Sequence, residues 1–341
     1  MLLSGICRPD ELGHFSDIDI SHIQQVINAY PMFINPYYLG LIKTKGDVIY
    51  RQAVPDIAEI TQADGTPDPL NEEDLSPVPG LTHKYLDRVL FLVSSRCAMY
   101  CRFCNRKRKV GGAGMVTAES IREGIRYIKS NKNIRDVLLS GGDPLLLTDS
   151  ELFRILSEVR SIPHVEIIRI GTRVPCTLPQ RVTPELAEML KGFQPLYINT
   201  HFNHPWEITP ESALACSTLA DAGIPLGCQT VLLKGVNDDI EIMRELMKGL
   251  LAIRVRPYYL FQADLVKGTS HFWTGFKKGL EIIAGLQGYI SGMCIPRFMI
   301  DLPDGGGKIP VTPDYIKEIR EDELIVKNYQ GKEFRYPVIE E

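Results

Sequence analysis

The chain has 341 residues, of which 44% are hydrophobic and 23% are charged, and its formal net charge is −4. This composition is typical of a globular protein with an ordinary core, and the negative charge argues against broad attraction to nucleic acid or anionic membranes. No apolar run approaches the roughly 20 residues that span a bilayer, and the N-terminal stretch lacks a basic signal-peptide region, so a cytoplasmic protein is expected.

The first 80 residues are predicted to form a helical and irregular N-terminal extension. A helical pattern covers Ser21–Tyr30, and Pro-rich connections follow it. The acidic stretch Asn71–Asp74 and the turn Pro77–Gly80 indicate a linker into the next region.

Residues 81–302 alternate between short apolar runs and longer segments of helical period. The apolar runs, rich in β-branched residues, begin at Arg88, Asp136, Val165, Leu196, Gly227, Arg254 and Arg297. The helical segments are Ala118–Ser130, Asp149–Ile162, Thr183–Lys191, Glu211–Ala222, Asp239–Leu251 and Gly275–Leu286. Strands that are apolar on both faces and separated by helices are typical of a parallel sheet with crossover helices. The pattern favours an α/β fold with a barrel or partial barrel, and it leaves the closure of the barrel open.

The remaining residues, 303–341, are predicted to form a C-terminal lysine loop and a short tail. The stretch from Glu323 predicts a β-hairpin around Gln330 and Gly331.

Polar and reactive residues directly follow the apolar runs. These residues are Cys97, Gly141, Gly142, Asp143, Thr172, Arg173, His201 and Asp264. The carboxyl ends of parallel strands meet at one mouth of a βα barrel, where active sites form. The sequence therefore predicts one site built from several strand ends.

The strongest chemical signal is the motif Cys97-Ala-Met-Tyr-Cys101-Arg-Phe-Cys104. Thiolates suit iron–sulfur clusters and zinc, but a structural zinc needs four ligands and no fourth Cys or His lies nearby in the sequence. Three thiolates on a cubane cluster leave one iron open for a small molecule. A zinc site completed by a distant cysteine, and three incidental thiols, stay open as alternatives.

This motif, CxxxCxxC after a strand, is that of radical S-adenosylmethionine (SAM) enzymes, and the longer string CAMYCRFCNRKRKVG resembles the lysine 2,3-aminomutase family. The resemblance runs from about Tyr30 to Tyr315, through LSPVPGLTHKY, DVLLSGGDPLL, INTHFNHPWEIT, RVRPYYLFQADL and DGGGKIPVTPDY. It implies a partial (β/α)6 TIM-like radical SAM barrel. It also implies a 4Fe–4S cluster on the three cysteines, with SAM and pyridoxal 5′-phosphate (PLP) as further cofactors.

The same resemblance implies which residues bind SAM. The matching residues are Gly141, Gly142, Asp143, His201 and Gln229. Without the resemblance, the two glycines indicate an ordinary strand–helix turn, and a histidine at this place is more often structural.

The string Asp301-Leu-Pro-Asp-Gly-Gly-Gly-Lys308 places a lysine after three glycines. Such an amine can form a Schiff base with PLP, although the string alone favours an exposed hairpin lysine. A P-loop is excluded because Ile309, and not Ser or Thr, follows the lysine. The resemblance implies that Lys308 is the PLP lysine. The residues that match the family's phosphate contacts are Lys84, Tyr85 and Arg88.

Three further residues match the family's substrate contacts. Arg106 matches the arginine that pairs with the substrate carboxylate, for which a planar guanidinium is suited. Asp264 and Asp301 match two aspartates that hold the distal ammonium of lysine-type substrates. Two converging carboxylates repel and raise a pKa unless a cation lies between them. Without the resemblance, both aspartates and the basic run Arg106–Lys109 are interpreted as solvated surface.

The resemblance implies an isomerase that converts L-lysine to β-lysine by moving the amino group from carbon 2 to carbon 3. The alternatives are another basic substrate, either arginine or a lysine of elongation factor P, and more remotely a non-catalytic iron–sulfur electron carrier. A flavodoxin- or ferredoxin-like reductant and a homo-oligomer are expected, with no nucleic-acid or membrane partner. Some longer members of the resembled family bind structural zinc through a C-terminal cysteine cluster. Zinc is not predicted here, because no cysteine lies beyond Cys294 and Asp239 lies near the place of the upstream zinc-binding cysteine.

Overall fold

A mixed sheet of nine strands organises the part of the chain that the structure describes. The structure is a computed structural model that describes residues 5–13, 15, 18–62, 64–111 and 116–339. The first residues of the stretch assessed as a signal peptide and the last two residues of the predicted tail lie outside the described residues.

The N-terminal extension contains short helices that share the core of the sheet. They are α1 (Ile20–Ala29), α2 (Pro36–Leu39), α3 (Val48–Ala53) and α4 (Ala58–Thr61). The first agrees with the predicted helix to within one residue at each end, and the Asp19 side chain caps it by accepting from two backbone N–H groups. Tyr38 and Ile49 are fully buried in the same apolar cluster as the barrel strands. The extension is therefore packed onto the barrel.

The strands of the main sheet follow one another in chain order. They are β1 (Leu81–Tyr85), β2 (Arg88–Ser94), β3 (Asp136–Gly141), β4 (Ile167–Gly171), β5 (Leu196–Thr200), β6 (Leu226–Leu232), β7 (Arg256–Gln262), β8 (Arg297–Leu302) and β9 (Gly307–Pro310). All neighbours from β2 to β8 pair in parallel. The predicted partial α/β barrel is confirmed, since every predicted apolar run contains one of these parallel strands.

Helices cross between the parallel strands and cover the sheet. They are α5 (Ala118–Ser130), α6 (Asp149–Arg160), α7 (Val174–Thr177), α8 (Pro184–Lys191), α9 (Pro210–Asp221), α10 (Ile240–Ala252) and α11 (Phe276–Leu286). Most of the long ones begin after a side chain that accepts a hydrogen bond from the first turn. These N-cap residues are Thr117, Thr148, Thr183, Thr209 and Asp239. Local capping therefore helps to fix where these five crossover helices start.

Two antiparallel edge strands, β1 and β9, were not predicted. The first pairs with β2, and the second pairs with β8 so that Lys308 lies directly opposite Asp301. Both are short, and β9 begins at a glycine, so neither carries a clear strand pattern. Because β9 belongs to the main sheet, the sheet extends beyond residue 302, where the predicted barrel segment ends.

The C-terminal residues form a separate antiparallel sheet of β10 (Ile316–Ile319), β11 (Glu323–Lys327) and β12 (Glu333–Pro337). The predicted hairpin is confirmed by the pairing of β11 with β12, and β10 is an addition to it. Among the described residues, no helix combines the length and the apolar character that crossing a membrane requires.

Candidate active site

The cysteine motif lies in the loop that follows β2, and this loop is packed against the end of β3. The carbonyl of Ser94 accepts a 2.7 Å hydrogen bond from Gly142, and the carbonyl of Arg96 accepts a 2.6 Å bond from Asp143. A Cβ atom would lie 2.3 Å from the Ser94 carbonyl if added to Gly141, and 2.3 Å from the Arg96 carbonyl if added to Gly142. The two glycines therefore have a structural role, which is to let the cysteine loop reach the strand end.

The three thiols lie close enough to influence one another. Burial, followed by the neighbouring thiol of Cys104, holds the pKa of Cys97 well above its usual value. Burial, followed by Cys101, raises the pKa of Cys104 to about 11. Among the described residues, no three His, Cys, Asp or Glu side chains converge on one metal ion. In a cubane cluster each thiolate binds a different iron, so three neighbouring thiols suit such a cluster.

Arg173, at the end of β4, is a site residue whose role the sequence analysis missed. Its Nη1 donates to the sulfur of Cys101 at 2.8 Å, and its Nη2 donates to Glu207 at 2.6 Å and to Gln52 at 2.7 Å. The only signal in the sequence was its position at a strand end. Its partners are remote in sequence, so their convergence could not be inferred from spacing.

Asp143 is buried and fully engaged with the chain. One carboxylate oxygen accepts from the hydroxyl of Thr172 at 2.6 Å and from the backbone of Leu145 at 3.0 Å, and the other accepts from the backbone of Arg173 at 2.7 Å. Burial raises the pKa of Asp143. Its contacts position the loop that carries Arg173, while its predicted contact with SAM stays a prediction.

His201 directly follows β5, and Gln229 lies within the neighbouring strand β6. The Nε2 atom of His201 is 2.9 Å from the Oδ1 atom of Asn203, and burial followed by the charge of Arg173 lowers the pKa of His201 to about 3. The ring is therefore neutral at physiological pH. The side-chain oxygen of Gln229 accepts a 3.2 Å hydrogen bond from Tyr258. The contact of both residues with SAM stays a prediction.

Lys308, on β9, is joined to the opposite edge of the sheet. Its amine forms an ion pair with Asp301, directly across the strand pair, and its backbone N–H donates to the hydroxyl of Tyr85 at 3.1 Å. Lys84 also donates to Asp301, at 3.0 Å, while the guanidinium of Arg88 stacks 4.2 Å above the Tyr85 ring. The predicted PLP residues therefore meet where the edge strands β1 and β9 approach each other.

Asp264 is close to the same group of charges. Burial, followed by the carboxylate of Asp301, raises the pKa of Asp264 to about 6, and the amine of Lys308 acts in the opposite direction. Asn105 donates to it at 3.2 Å. The two aspartates are thus brought together, and they are not the solvated acids that the sequence alone favoured.

Arg106 forms a double hydrogen bond with Glu72, with distances of 2.7 and 3.0 Å. Burial lowers the pKa of this arginine, but the charge and hydrogen bonds of Glu72, together with the charges of Cys104 and Asp264, raise it above its usual value. Arg106 therefore lies between the cysteine loop and the aspartate pair. The predicted linker around Glu72 is part of the site.

The interpretation of the basic run as solvated surface was also wrong. Lys107 is buried and forms a 2.6 Å ion pair with Glu59 of the extension. Arg108 pairs with Asp68 at 2.8 Å, and Lys109 pairs with Glu73 at 2.9 Å. The opposite charges of the two runs were visible in the sequence, and their complementarity is the signal that could have predicted this contact.

Two family models match this chain. The model described as Radical SAM superfamily matches residues 91–247, which include the cysteine loop, and the model described as Lysine-2,3-aminomutase matches residues 283–341, which include Asp301 and Lys308.

Curated relatives resemble the chain over most of its length. It is 53% identical over 322 residues to the L-lysine 2,3-aminomutase of Methanococcus maripaludis, and the aligned region covers 93% of this chain and 74% of the relative. It is 51% identical over 313 residues to the L-lysine 2,3-aminomutase of Clostridium subterminale, and the aligned region covers 91% of this chain and 75% of the relative. It is also 46% identical over 314 residues to the glutamate 2,3-aminomutase of Clostridioides difficile, and the aligned region covers 91% of this chain and 74% of the relative.

Proposed function

The chain belongs to the lysine 2,3-aminomutase family of radical SAM enzymes, and we propose that it converts L-lysine to β-lysine at the strand ends of its barrel. The observation that carries the proposal is the position of two neighbouring carboxylates, Asp264 and Asp301, beside the amine of Lys308. The carboxylates suit a cationic side chain, and the amine suits a carbonyl cofactor.

The residues of the site fit the cofactors that the family implies. Cys97, Cys101 and Cys104 provide three neighbouring thiols for a 4Fe–4S cluster, and metal binding supplies the driving force to deprotonate them. Lys308 provides the amine for PLP, and Lys84 provides a nearby cation for its phosphate. When bound, the cluster and SAM supply a radical that abstracts hydrogen, and PLP supplies the carbonyl carbon that carries the migrating nitrogen.

Arg106 and the aspartate pair hold the two ends of the substrate in this proposal. The guanidinium of Arg106 binds the α-carboxylate, for which its donor fork is suited. Asp264 and Asp301 bind the distal ammonium, and that cation removes the repulsion between them. Contacts at both ends of the substrate restrict the orientation of its carbon 3 in the site. This restriction lowers the entropic part of the activation barrier.

Arg106 and Asp301 already have charged partners within the chain, whereas Asp264 accepts from the neutral amide of Asn105. Glu72 holds Arg106, and Lys84 and Lys308 both hold Asp301. Substrate and cofactor therefore exchange with existing ion pairs: the α-carboxylate competes with Glu72 for Arg106, and the distal ammonium replaces a lysine amine at Asp301. We propose that this exchange of partners couples loading of PLP to release of Asp301 for the substrate.

The finer choice of substrate and partners is part of the same proposal. Arginine is the second candidate, because its guanidinium is a cation that two carboxylates can also bind, and a lysine of elongation factor P is the third. Glutamate is disfavoured because its distal carboxylate would face Asp264 and Asp301. A flavodoxin- or ferredoxin-like reductant, a homo-oligomeric state and a cytoplasmic location complete the proposal.

Turnover after anaerobic reconstitution with iron, sulfide, SAM, PLP and dithionite tests the function. We expect β-lysine from lysine, little product from arginine and none from glutamate. Lys308→Ala should abolish product and the visible absorbance of bound PLP, whereas Lys332→Ala, which removes an exposed lysine of the tail, should change neither. Asp264→Lys should abolish turnover of lysine. The absence of any β-amino acid from lysine, arginine or glutamate would reject the proposal.

A further inference from the structure

We propose that Arg173 is a positioning residue that raises the reduction potential of the iron–sulfur cluster by donating a hydrogen bond to the sulfur of Cys101. The inference rests on the proposed binding of the cluster by the three cysteines. It assigns a function to a residue that neither the cysteine motif nor the substrate contacts include.

The guanidinium is held in place from two sides. Its Nη1 lies 2.8 Å from the Cys101 sulfur, while its Nη2 lies 2.6 Å from Glu207 and 2.7 Å from Gln52. The hydroxyl of Tyr38 lies 3.4 Å from the same Nη2. Gln52 and Tyr38 belong to the N-terminal extension, so the extension and the barrel together fix the donor that faces the cysteine loop.

Not every hydrogen-bond donor of Arg173 has a partner within the described chain. Glu207 is completely buried, and its carboxylate accepts hydrogen bonds from Tyr38, Arg173 and the backbone of Asn203 and His204. The Nε atom of Arg173 is buried and has no hydrogen-bond partner among the described residues. A buried donor without a partner is costly in a folded protein. The group that faces the cysteine loop is Nη1, whose hydrogen bond to the Cys101 sulfur carries the inference.

The consequence for the cluster follows from the charge that it gains on reduction. Hydrogen bonds to cluster sulfurs and nearby positive charge shift the reduction potential. Both favour the reduced, more negative state, and an arginine stays protonated at any accessible pH. Reductive cleavage of SAM needs one electron on the cluster, so Arg173 makes the reduced cluster easier to reach.

A redox titration of the full, anaerobically reconstituted chain, followed by the paramagnetic signal of the reduced cluster, tests this role. Removing Arg173 alone would leave Glu207 as an unpaired buried charge and endanger folding. The main variant is therefore the charge-balanced Arg173→Gln/Glu207→Gln, and Arg173→Lys is the conservative variant. Arg160→Gln serves as a control, because Arg160 donates to the backbone carbonyls of Phe193 and Pro195 and has no contact with a cysteine.

We expect a more negative midpoint potential in the double variant, an intermediate value in Arg173→Lys, and the wild-type value in Arg160→Gln. An unchanged midpoint potential in the double variant overturns the inference, whether or not its iron content falls. Wild-type protein that binds no cluster would instead contradict the proposed function. The two failures are therefore distinguishable.

Discussion

At the scale of single residues, the site is a set of charges that are paired across long sequence distances. Asp301 contacts Lys84, 217 residues away, and Arg173 contacts Cys101, 72 residues away. Asp264 differs from these, because its nearest described hydrogen-bond donor is the neutral amide of Asn105. Its raised pKa makes its charge sensitive to mildly acidic pH.

The raised pKa of Asp264 predicts a loss of substrate affinity in mildly acidic solution. Burial and the nearby Asp301 raise this pKa to about 6, so the group is charged above pH 6 and becomes neutral below it. A neutral carboxyl group cannot attract an ammonium group, so kcat/KM for lysine should fall by about tenfold per pH unit below 6. The measurement is the pH profile of kcat/KM, which reports groups of the free enzyme.

Asp264→Asn is the control for this profile. We expect a lower kcat/KM at neutral pH and the loss of the decline near pH 6. The charged groups near Asp264 include Asp301, Lys308, Glu72 and Arg106. A decline near pH 6 that persists in Asp264→Asn would assign it to one of these groups, and the interpretation of Asp264 would be wrong.

At the scale of secondary-structure elements, the barrel places most of the candidate site residues near the ends of its strands. The cysteine loop follows β2 and contacts the end of β3 through backbone hydrogen bonds. A side chain at position 141 or 142 would collide with the loop, so both positions require glycine. Gly141 has a φ of +124°, so its backbone conformation and its close contact both require glycine. At Gly142 the close contact alone imposes the requirement.

Gly142→Ala should therefore weaken the cysteine loop without directly touching a thiol. Its Cβ would lie 2.3 Å from the carbonyl of Arg96, and the backbone must move. We expect a loss of about 1–3 kcal/mol in stability and a lower iron content after reconstitution. Thermal unfolding and iron analysis measure the two effects.

Gly171→Ala is a matched control at the end of β4. Its nearest contact would be an ordinary 3.6 Å, so stability and iron content should stay near the wild-type values. Equal iron content in both variants would show that the packing of the loop against β3 does not govern the cluster site.

At the scale of the whole molecule, the N-terminal extension and the two antiparallel edge strands complete the site. The extension supplies Glu72 to Arg106 and Gln52 to Arg173. The edge strands β1 and β9 bring Tyr85 to the backbone of Lys308. The described edge strands β1 and β9 are not paired with each other through their backbones. Side chains of the predicted PLP residues Tyr85 and Lys84 make contacts between β1 and the paired strands β8 and β9.

Glu72→Gln tests how the extension controls the substrate site. The substitution removes the charge that competes with the substrate carboxylate for Arg106, so KM for lysine should fall by up to about tenfold. Stability should also fall by about 1–3 kcal/mol, because Arg106 loses a charged partner in a buried position. Steady-state kinetics and thermal unfolding separate the two effects.

Glu73→Gln is the matched control, because Glu73 is more exposed and pairs with Lys109 and Arg108 instead of Arg106. It should leave KM unchanged. A rise of KM in Glu72→Gln alone would mean that Glu72 helps Arg106 to bind substrate and does not compete with it.

The sequence by itself determined the parallel strands, the crossover helices and the order of reactive residues at the strand ends. These features depend on apolar periodicity, N-cap residues and short spacing, which are local properties. The spacing of Cys97, Cys101 and Cys104 and its resemblance to a known family were sufficient to predict a cluster.

Only the tertiary structure decided how the charges pair. The contacts of Glu72 with Arg106 and of Arg173 with Cys101 span 34 and 72 residues, and no local pattern specifies such partners. The strand β9 was missed for the same reason, because its residues become a strand only by pairing with β8, which places Lys308 opposite Asp301. Burial makes each of these charges require a partner, and the fold selects which partner is within reach.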